Sequence, residues 1–211
     1  MTDPDPDASP LIHVVDDDAM MRRSVVFLLD SIGWDAVAYA SAEEFLAQPA
    51  PQRPGCLVLD IRMPTLSGLE LQQQLAGRGD ALPVIFITGH ADVSLAVQAM
   101  KSGACDLIEK PFRDQVLLDA VSRAVRTSRD MLRERLRCDQ ARRRLQTLSP
   151  REREVADLLA RGQANKRVAL ALDISERTVH IHRQHVMDKL DIRSAAELAR
   201  LILAADPRAL D

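Results

Sequence analysis

No apolar run in this chain of 211 residues reaches the roughly 18–20 residues that a bilayer span requires, so no membrane-spanning helix is expected. The start, MTDPDPDASP, has neither a basic n-region nor an apolar h-region. It does not read as a secretory signal, and residues 1–10 are expected to form a disordered, acidic lead. Cysteine is scarce: Cys56, Cys105 and Cys138 cannot all pair within one chain. Cys56 and Cys105 stand in or beside apolar strand patterns, so buried, reduced thiols are expected. There is no internal repeat and no low-complexity tract. These absences together point to the cytoplasm and away from a membrane partner. What is present is an ordinary globular balance, 46% hydrophobic and 28% charged. The length suits one large domain or two small ones.

The net charge of −3 conceals an asymmetry. Residues 1–115 hold 8 Lys/Arg against 17 Asp/Glu, residues 116–148 hold 9 against 4, and residues 149–211 hold 11 against 10. An acidic front joined to a basic middle suggests two modules with different partners.

The first 125 residues alternate strand and helix patterns. Strands read at 11–15, 35–39, 56–60, 82–88 and 104–109; helices read at 18–32, 41–48, 67–76, 92–102 and from 114 onward. The first, third and fourth strands are nearly continuous apolar runs, as strands covered on both faces are. The alternation predicts a doubly wound five-stranded parallel sheet with right-handed crossovers. From Asp114 to about Leu145 there is no Gly or Pro. A helix of that length spans about 48 Å. Leu117, Val121, Ala124 and Val125 suit packing on the sheet, and the arginine-rich remainder suits a connector. The series 117, 121, 124, 128, 131 is heptad-like but carries Ser128, so a solvated helix competes with a coiled coil. Ser149-Pro150 with Glu152 then reads as a capped start. Helices follow at 150–161, 165–172, 176–190 and 195–204, with Gly162 ending the first and Ser175 and Ser194 capping the last two.

Four apolar runs in the front half each end on chemistry: LIHVVDDD, CLVLDIRMP, LPVIFITGH and CDLIEKPF. In a parallel sheet the carboxyl ends of the strands converge on one edge, where ligands bind. Asp16, Asp17, Asp60, Thr88 and Lys110 are therefore expected to meet. Singly, each has an ordinary role as a helix cap or a solvated lysine. Three carboxylates in one place repel unless a cation holds them. The set is a hard, oxygen-rich site suited to Mg²⁺. Asp60 is the best nucleophile, with the metal and the Lys110 ammonium offsetting charge on an incoming phosphoryl group.

The stretches VVDDD, LVLDIRMPTLSGLEL, VIFITGHAD and AMKSGACDLIEKPF resemble the receiver domains of two-component response regulators, a flavodoxin-like fold. The resemblance implies that Asp60 is the phosphoacceptor. It implies that Asp17 and Asp60 bind Mg²⁺ with the backbone carbonyl of Arg62, while Asp16 acts mainly through water. Lys110 would pair with the phosphoryl group, Lys110-Pro111 would be cis, and Thr88 would turn inward to a phosphoryl oxygen. A departure is Leu107, where the family usually has Tyr or Phe. Without the ring, the helix at 92–102 is an alternative carrier of the signal.

The segment LSPREREVADLLARGQANKRVALALDISERTVHIHRQHVMDKL is similar to the helix-turn-helix module of LuxR-type regulators. A receiver joined to that module resembles the NarL/FixJ group. Independently of the resemblance, two short helices around Asp173-Ile174-Ser175 can place the second in a major groove. Val179, Val186 and Leu190 form its inner face. Lys166, Arg177, Thr178, His180, Ile181, Arg183, Gln184 and Lys189 are the candidate DNA contacts, with Gln suited to adenine edges and Ile181 to a thymine methyl. Leu198, Leu201 and Ile202 form an apolar face that either pairs with a second copy or packs inward.

The expected organisation is a lead at 1–10, a receiver at 11–125, a helical linker at 126–147 and a helix-turn-helix domain at 148–211. The leading reading is a transcriptional regulator, not an enzyme. A sensor histidine kinase would phosphorylate Asp60, and the phosphorylated homodimer would bind a pseudo-palindromic site on double-stranded DNA, with RNA polymerase a further candidate contact. Two alternatives stand beside it. An aspartyl-phosphate phosphohydrolase would carry its nucleophile after the first strand and would turn over phosphate esters. A constitutive DNA binder with an uncoupled receiver would bind DNA equally with and without phosphate.

Overall fold

The computed structural model describes residues 5–48, 53–78, 82–89 and 93–210. Residues 1–4 of the lead, His90 to Asp92 of the ITGHAD motif, and so the first residue of the helix expected at 92–102, lie outside them. The chain divides into two compact units, Met1–Arg133 and Glu134–Asp211.

In the first unit the strands are β1 (Leu11–Val15), β2 (Asp35–Tyr39), β3 (Gly55–Asp60), β4 (Val84–Thr88) and β5 (Asp106–Glu109). They alternate with α1 (Ala19–Asp30), α2 (Ala42–Leu46), α3 (Gly68–Arg78) and α4 (Val93–Lys101), and α5 (Asp114–Leu145) follows. All strand pairs are parallel, in the order β2-β1-β3-β4-β5. Alternate strand residues explain why the runs are apolar throughout. Val15, Leu57, Leu59, Val84 and Phe86 pack with α2, α3 and α4 on one face. Ile12, Val14, Cys56, Val58, Ile85 and Ile87 pack with α1 and the start of α5 on the other. The order reverses between β1 and β3, and Val15 is in register with Leu59. Asp16 and Asp60, the next residue of each strand, therefore emerge side by side at the switch point, where open α/β sheets place ligands.

Along α5, Leu117, Val121 and Ala124 are in the core, and Ser128 is buried with its Oγ accepting the Gly55 N–H at 3.1 Å. The sheet thus takes most of the heptad-like series, and Met131 alone stays exposed. Ser128, the residue that argued against a coiled coil, has a tertiary role. A Cβ on Gly55 would lie 1.8 Å from the Leu11 carbonyl oxygen, so this strand start accepts no side chain. One further expectation is corrected. Cys56 is buried but Cys105 is exposed, because it precedes β5 rather than entering it. In the described part of the lead, residues 6–8 form a turn, Pro10 is buried and Asp7 pairs with Arg133 at 2.7 Å.

The second unit holds α6 (Pro150–Ala160), α7 (Asn165–Leu172), α8 (Glu176–Leu190) and α9 (Ala195–Ala205). Ser149 and Glu152 form the complete reciprocal cap at the start of α6, and Ser175 and Ser194 cap α8 and α9. Val155, Leu159, Val168, Val179, Val186 and Leu190 make the core. Leu198 and Ile202 are fully buried in it and Leu201 is half-buried. Of the two readings of this face, pairing with a second copy or inward packing, the burial of Leu198 and Ile202 takes the second. A four-helix unit of this size needs that stripe for its own core.

His13 sits inside the first unit, with Nδ1 3.1 Å from the Tyr39 hydroxyl and its ring against Phe45. Burial, helped by the charge of Arg53, pushes its pKa down to about 4. An unfolded chain has an ordinary histidine and takes up the proton first as pH falls. The stabilisation is complete above about pH 6.5 and is lost between there and about pH 4, on the order of 3 kcal/mol. His13→Phe is expected to flatten that loss in urea titrations run from pH 7 to pH 4.

Candidate functional site

Asp16 and Asp60 are both buried, at 3% and 7% exposure. The Lys110 ammonium bridges them, donating to Asp60 Oδ1 at 2.7 Å and Asp16 Oδ2 at 2.8 Å. The remaining oxygens are held by backbone: Asp60 Oδ2 accepts the Arg62 N–H at 2.7 Å and Asp16 Oδ1 the Asp18 N–H at 2.8 Å. Lys110 reaches the pair from the far side of β4 because its own N–H donates to the Thr88 carbonyl at 2.7 Å. The Lys110-Pro111 peptide that follows is cis. Thr88 is buried at the end of β4, and Asp17 and Arg62 are exposed beside the pair. Leu107 is half-buried against the α2–α4 side of the core.

The electrostatics follow from this geometry. Burial raises the Asp60 pKa and the Asp16 charge raises it further, against the lowering effect of Lys110. Burial works against the Lys110 charge, yet the hydrogen bonds and charges of Asp16 and Asp60 prevail and its pKa is raised. The carboxylates outnumber the ammonium, and the exposed Asp17 adds to the excess. Among the described residues no three His, Cys, Asp or Glu side chains are grouped closely enough to hold a metal. The reason is visible: the lysine stands between the two buried carboxylates. Mg²⁺ needs only one or two carboxylates and keeps several waters. The oxygen donors and excess negative charge fit it in kind.

The loop after Asp60 is as constrained as the site. A Cβ on Gly68 would lie 2.3 Å from the Asp60 carbonyl oxygen, 3.0 Å from Leu59 Cγ and 3.1 Å from the Phe86 ring. The first turn of α3 thus packs directly on the end of β3, which gives the glycine in MP-x-x-x-G a steric reason. Thr65 in the same loop has φ 69°, an unfavourable conformation for a β-branched residue. Sequence reasoning missed Arg22, whose Nη1 donates to the Asp16 carbonyl at 2.6 Å; nothing in its spacing signalled this.

In the second unit, α7 and α8 are joined by a turn with Asp173 in the left-handed region. Arg177, His180, Ile181 and Gln184 are exposed on α8, as is Lys166 on α7. Three other candidate contacts have partners within the fold. Lys189 Nζ donates to Oε2 of the buried Glu152 at 2.7 Å, which ties α8 to the start of α6. The Thr178 hydroxyl is 2.7 Å from Ser175 Oγ in the helix cap. Arg183 is half-buried with Nη1 3.5 Å from Asn165 Oδ1. Lys189 and Thr178 thus each have a partner within the unit. The Lys189 bond, with the Ser149 N–H, holds the Glu152 pKa down to about 2.

Comparison with known proteins accounts for both units. Residues 12–122 match the model of the response regulator receiver domain, and residues 146–202 match that of the luxR family of bacterial regulatory proteins. The chain is a response regulator of the NarL/FixJ group. It is 47% identical over 191 residues to Nodulation protein W of Bradyrhizobium diazoefficiens, covering 90% of this chain and 84% of that one. With the transcriptional regulatory protein FixJ of Rhizobium meliloti it shares 45% identity, covering 92% and 95%. The solved structure of the response regulator StyR matches with a TM-score of 0.79 at 42% identity, over 92% of this chain and 98% of that one. This response regulator is a phosphorylation-dependent two-component transcriptional regulator, with a receiver and a LuxR-type DNA-binding domain.

Two outcomes follow for the regulator. Gly68→Ala is expected to displace the Asp60 loop and reduce phosphate uptake at least tenfold, measured with a small acyl phosphate donor. Because the Glu152 pKa is depressed on folding, its stabilisation is present above about pH 4.5 and is lost as pH falls toward 2. Glu152→Gln should therefore melt at lower temperature than the parent at pH 7, with the difference shrinking in acid, as followed by helical circular dichroism.

Proposed function

We propose that Asp60 accepts a phosphoryl group from a cognate sensor histidine kinase. The observation that carries this reading is the Asp60 carboxylate, buried at the switch point and held by an ammonium and a backbone N–H. An Asp60 oxygen attacks phosphorus, the P–N bond to the kinase imidazole breaks, and the electron pair leaves with the ring. Lys110, already 2.7 Å from Asp60, pairs with the phosphoryl oxygens. Thr88 binds one of those oxygens, with Leu107 filling space behind it. Mg²⁺, held by Asp17, Asp60 and the Arg62 carbonyl with Asp16 through water, would supply charge neutralisation on the transferring group.

The output is a homodimer on a pseudo-palindromic duplex in the cytoplasm. Each copy offers Lys166, Arg177, His180, Ile181 and Gln184 to DNA, and the bound dimer is open to contact with RNA polymerase. The receiver accepts phosphate for signalling and turns over no separate substrate.

The test is Asp60→Asn, a near-isosteric change that removes the nucleophile. Mass spectrometry after treatment with an acyl phosphate should show one added phosphoryl group on the parent and none on the variant. The parent alone should then gain affinity for its duplex. Unchanged uptake in Asp60→Asn would move the acceptor elsewhere.

A further inference from the structure

The arginine-rich end of α5 belongs structurally to the DNA-binding unit. Ala141 and Leu145 are buried in the core that also contains Val186, Leu190 and Ile202. The polar residues between and before them meet helix ends. Arg142 Nε donates to the carbonyl of Ala205, the last residue of α9, at 3.1 Å, and Cys138 Sγ lies 3.2 Å from the same oxygen. Arg144 Nη2 donates to the carbonyl of Leu190, the last residue of α8. The last carbonyls of a helix have no intrahelical donor and carry partial negative charge, so a guanidinium is a favourable partner there.

For α8 the consequence is positional. Its last turn is held by Glu152 through Lys189 and by Arg144 through the Leu190 carbonyl, while the Leu190 side chain is 1% exposed. Arg177, His180 and Ile181 lie toward the opposite, N-terminal end, which is the end a recognition helix presents to bases, and Gln184 lies at mid-helix. Fifteen residues make a rod of about 21 Å. A tilt of about 10° at its clamped end would displace the other end by roughly 3–4 Å, more than a hydrogen bond to a base edge tolerates.

We propose that Arg144 is a positioning residue for sequence readout: by capping α8 at Leu190 it sets the angle at which the helix presents its reading side chains. This rests on the reading that α8 contacts base edges. Arg144 stands in a run, Arg142 to Arg144, that by composition alone would pass for a set of phosphate contacts. The two roles predict different behaviour. A lost phosphate contact weakens binding to all duplexes alike and lowers the slope of log affinity against log salt by about one. A lost positioning contact weakens binding to the preferred sequence and leaves non-specific binding and the salt slope intact.

The experiment uses the full chain with beryllofluoride and Mg²⁺. A duplex selected from a randomised pool by the parent is compared with a random-sequence duplex, across a salt series. Arg144→Ala is expected to lose about tenfold in affinity for the selected duplex, with unchanged random-duplex affinity and salt slope. Arg144→Lys should restore part of the preference. Arg144→Gln, which keeps an N–H donor on a shorter side chain, carries the comparison if the alanine variant loses its helical circular dichroism. Equal loss on both duplexes, or a reduced slope, would overturn the proposal. Gln184→Ala and Arg177→Ala distinguish the two levels of the reading. If both leave the preference unchanged, α8 is not the reader; if they abolish it and the Arg144 variants do not, the positioning role alone fails.

Discussion

Two carboxylates cannot lie side by side out of water unless a cation holds them. The receiver unit is arranged around that constraint. Its parallel register delivers Asp16 and Asp60 to the same point from adjacent strands, and Lys110 is the cation that bridges them. The other features of the edge serve the same pair. The Arg62 and Asp18 N–H groups hold the outer oxygens, the Thr88 carbonyl anchors the lysine backbone, and Gly68 lets α3 pack against the acceptor strand. On the proposed reading, a phosphoryl group on Asp60 would replace the carboxylate oxygen charge that Lys110 bridges, which would give phosphorylation a local electrostatic consequence.

The DNA-binding unit uses the same physics in milder form. The buried carboxylate of Glu152 gathers the α6 cap and the Lys189 ammonium and so joins two helices across the core. Its helix ends are met by arginines: Arg151 donates to the Leu172 carbonyl, Arg144 to that of Leu190, and Arg142 to that of Ala205. Much of the basic charge around α5 and α6 therefore faces carbonyl oxygens.

Residues 12–122 and 146–202 match the two families, and α5 spans the interval between them. One helix begins in the sheet core of the receiver and ends in the core of the DNA-binding unit. Neither unit is complete without its share of that helix. Leu117, Val121 and Ala124 cover one sheet face, and Ala141 and Leu145 close the other core.

The sequence by itself determined the element order, the sheet class and the convergence of Asp16, Asp60 and Lys110 at one sheet edge. Period-2 and period-3.6 apolar patterns are local, and strand ends in a parallel sheet converge by topology alone. It also determined the caps at Ser149, Ser175 and Ser194, since capping acts within a single turn. Only the tertiary structure decided which surface-patterned residues have partners. Lys189, Thr178 and Arg183 lie on a helix face that looks free in projection, yet partners from elsewhere in the unit or from the cap meet them. Leu198 and Ile202 form a stripe that looks equally fit for a twin or a core, and the core takes them. Ser128, Gly55 and Gly68 owe their roles to approaches between segments up to 73 residues apart. Such contacts depend on distances in three dimensions that no local periodicity records.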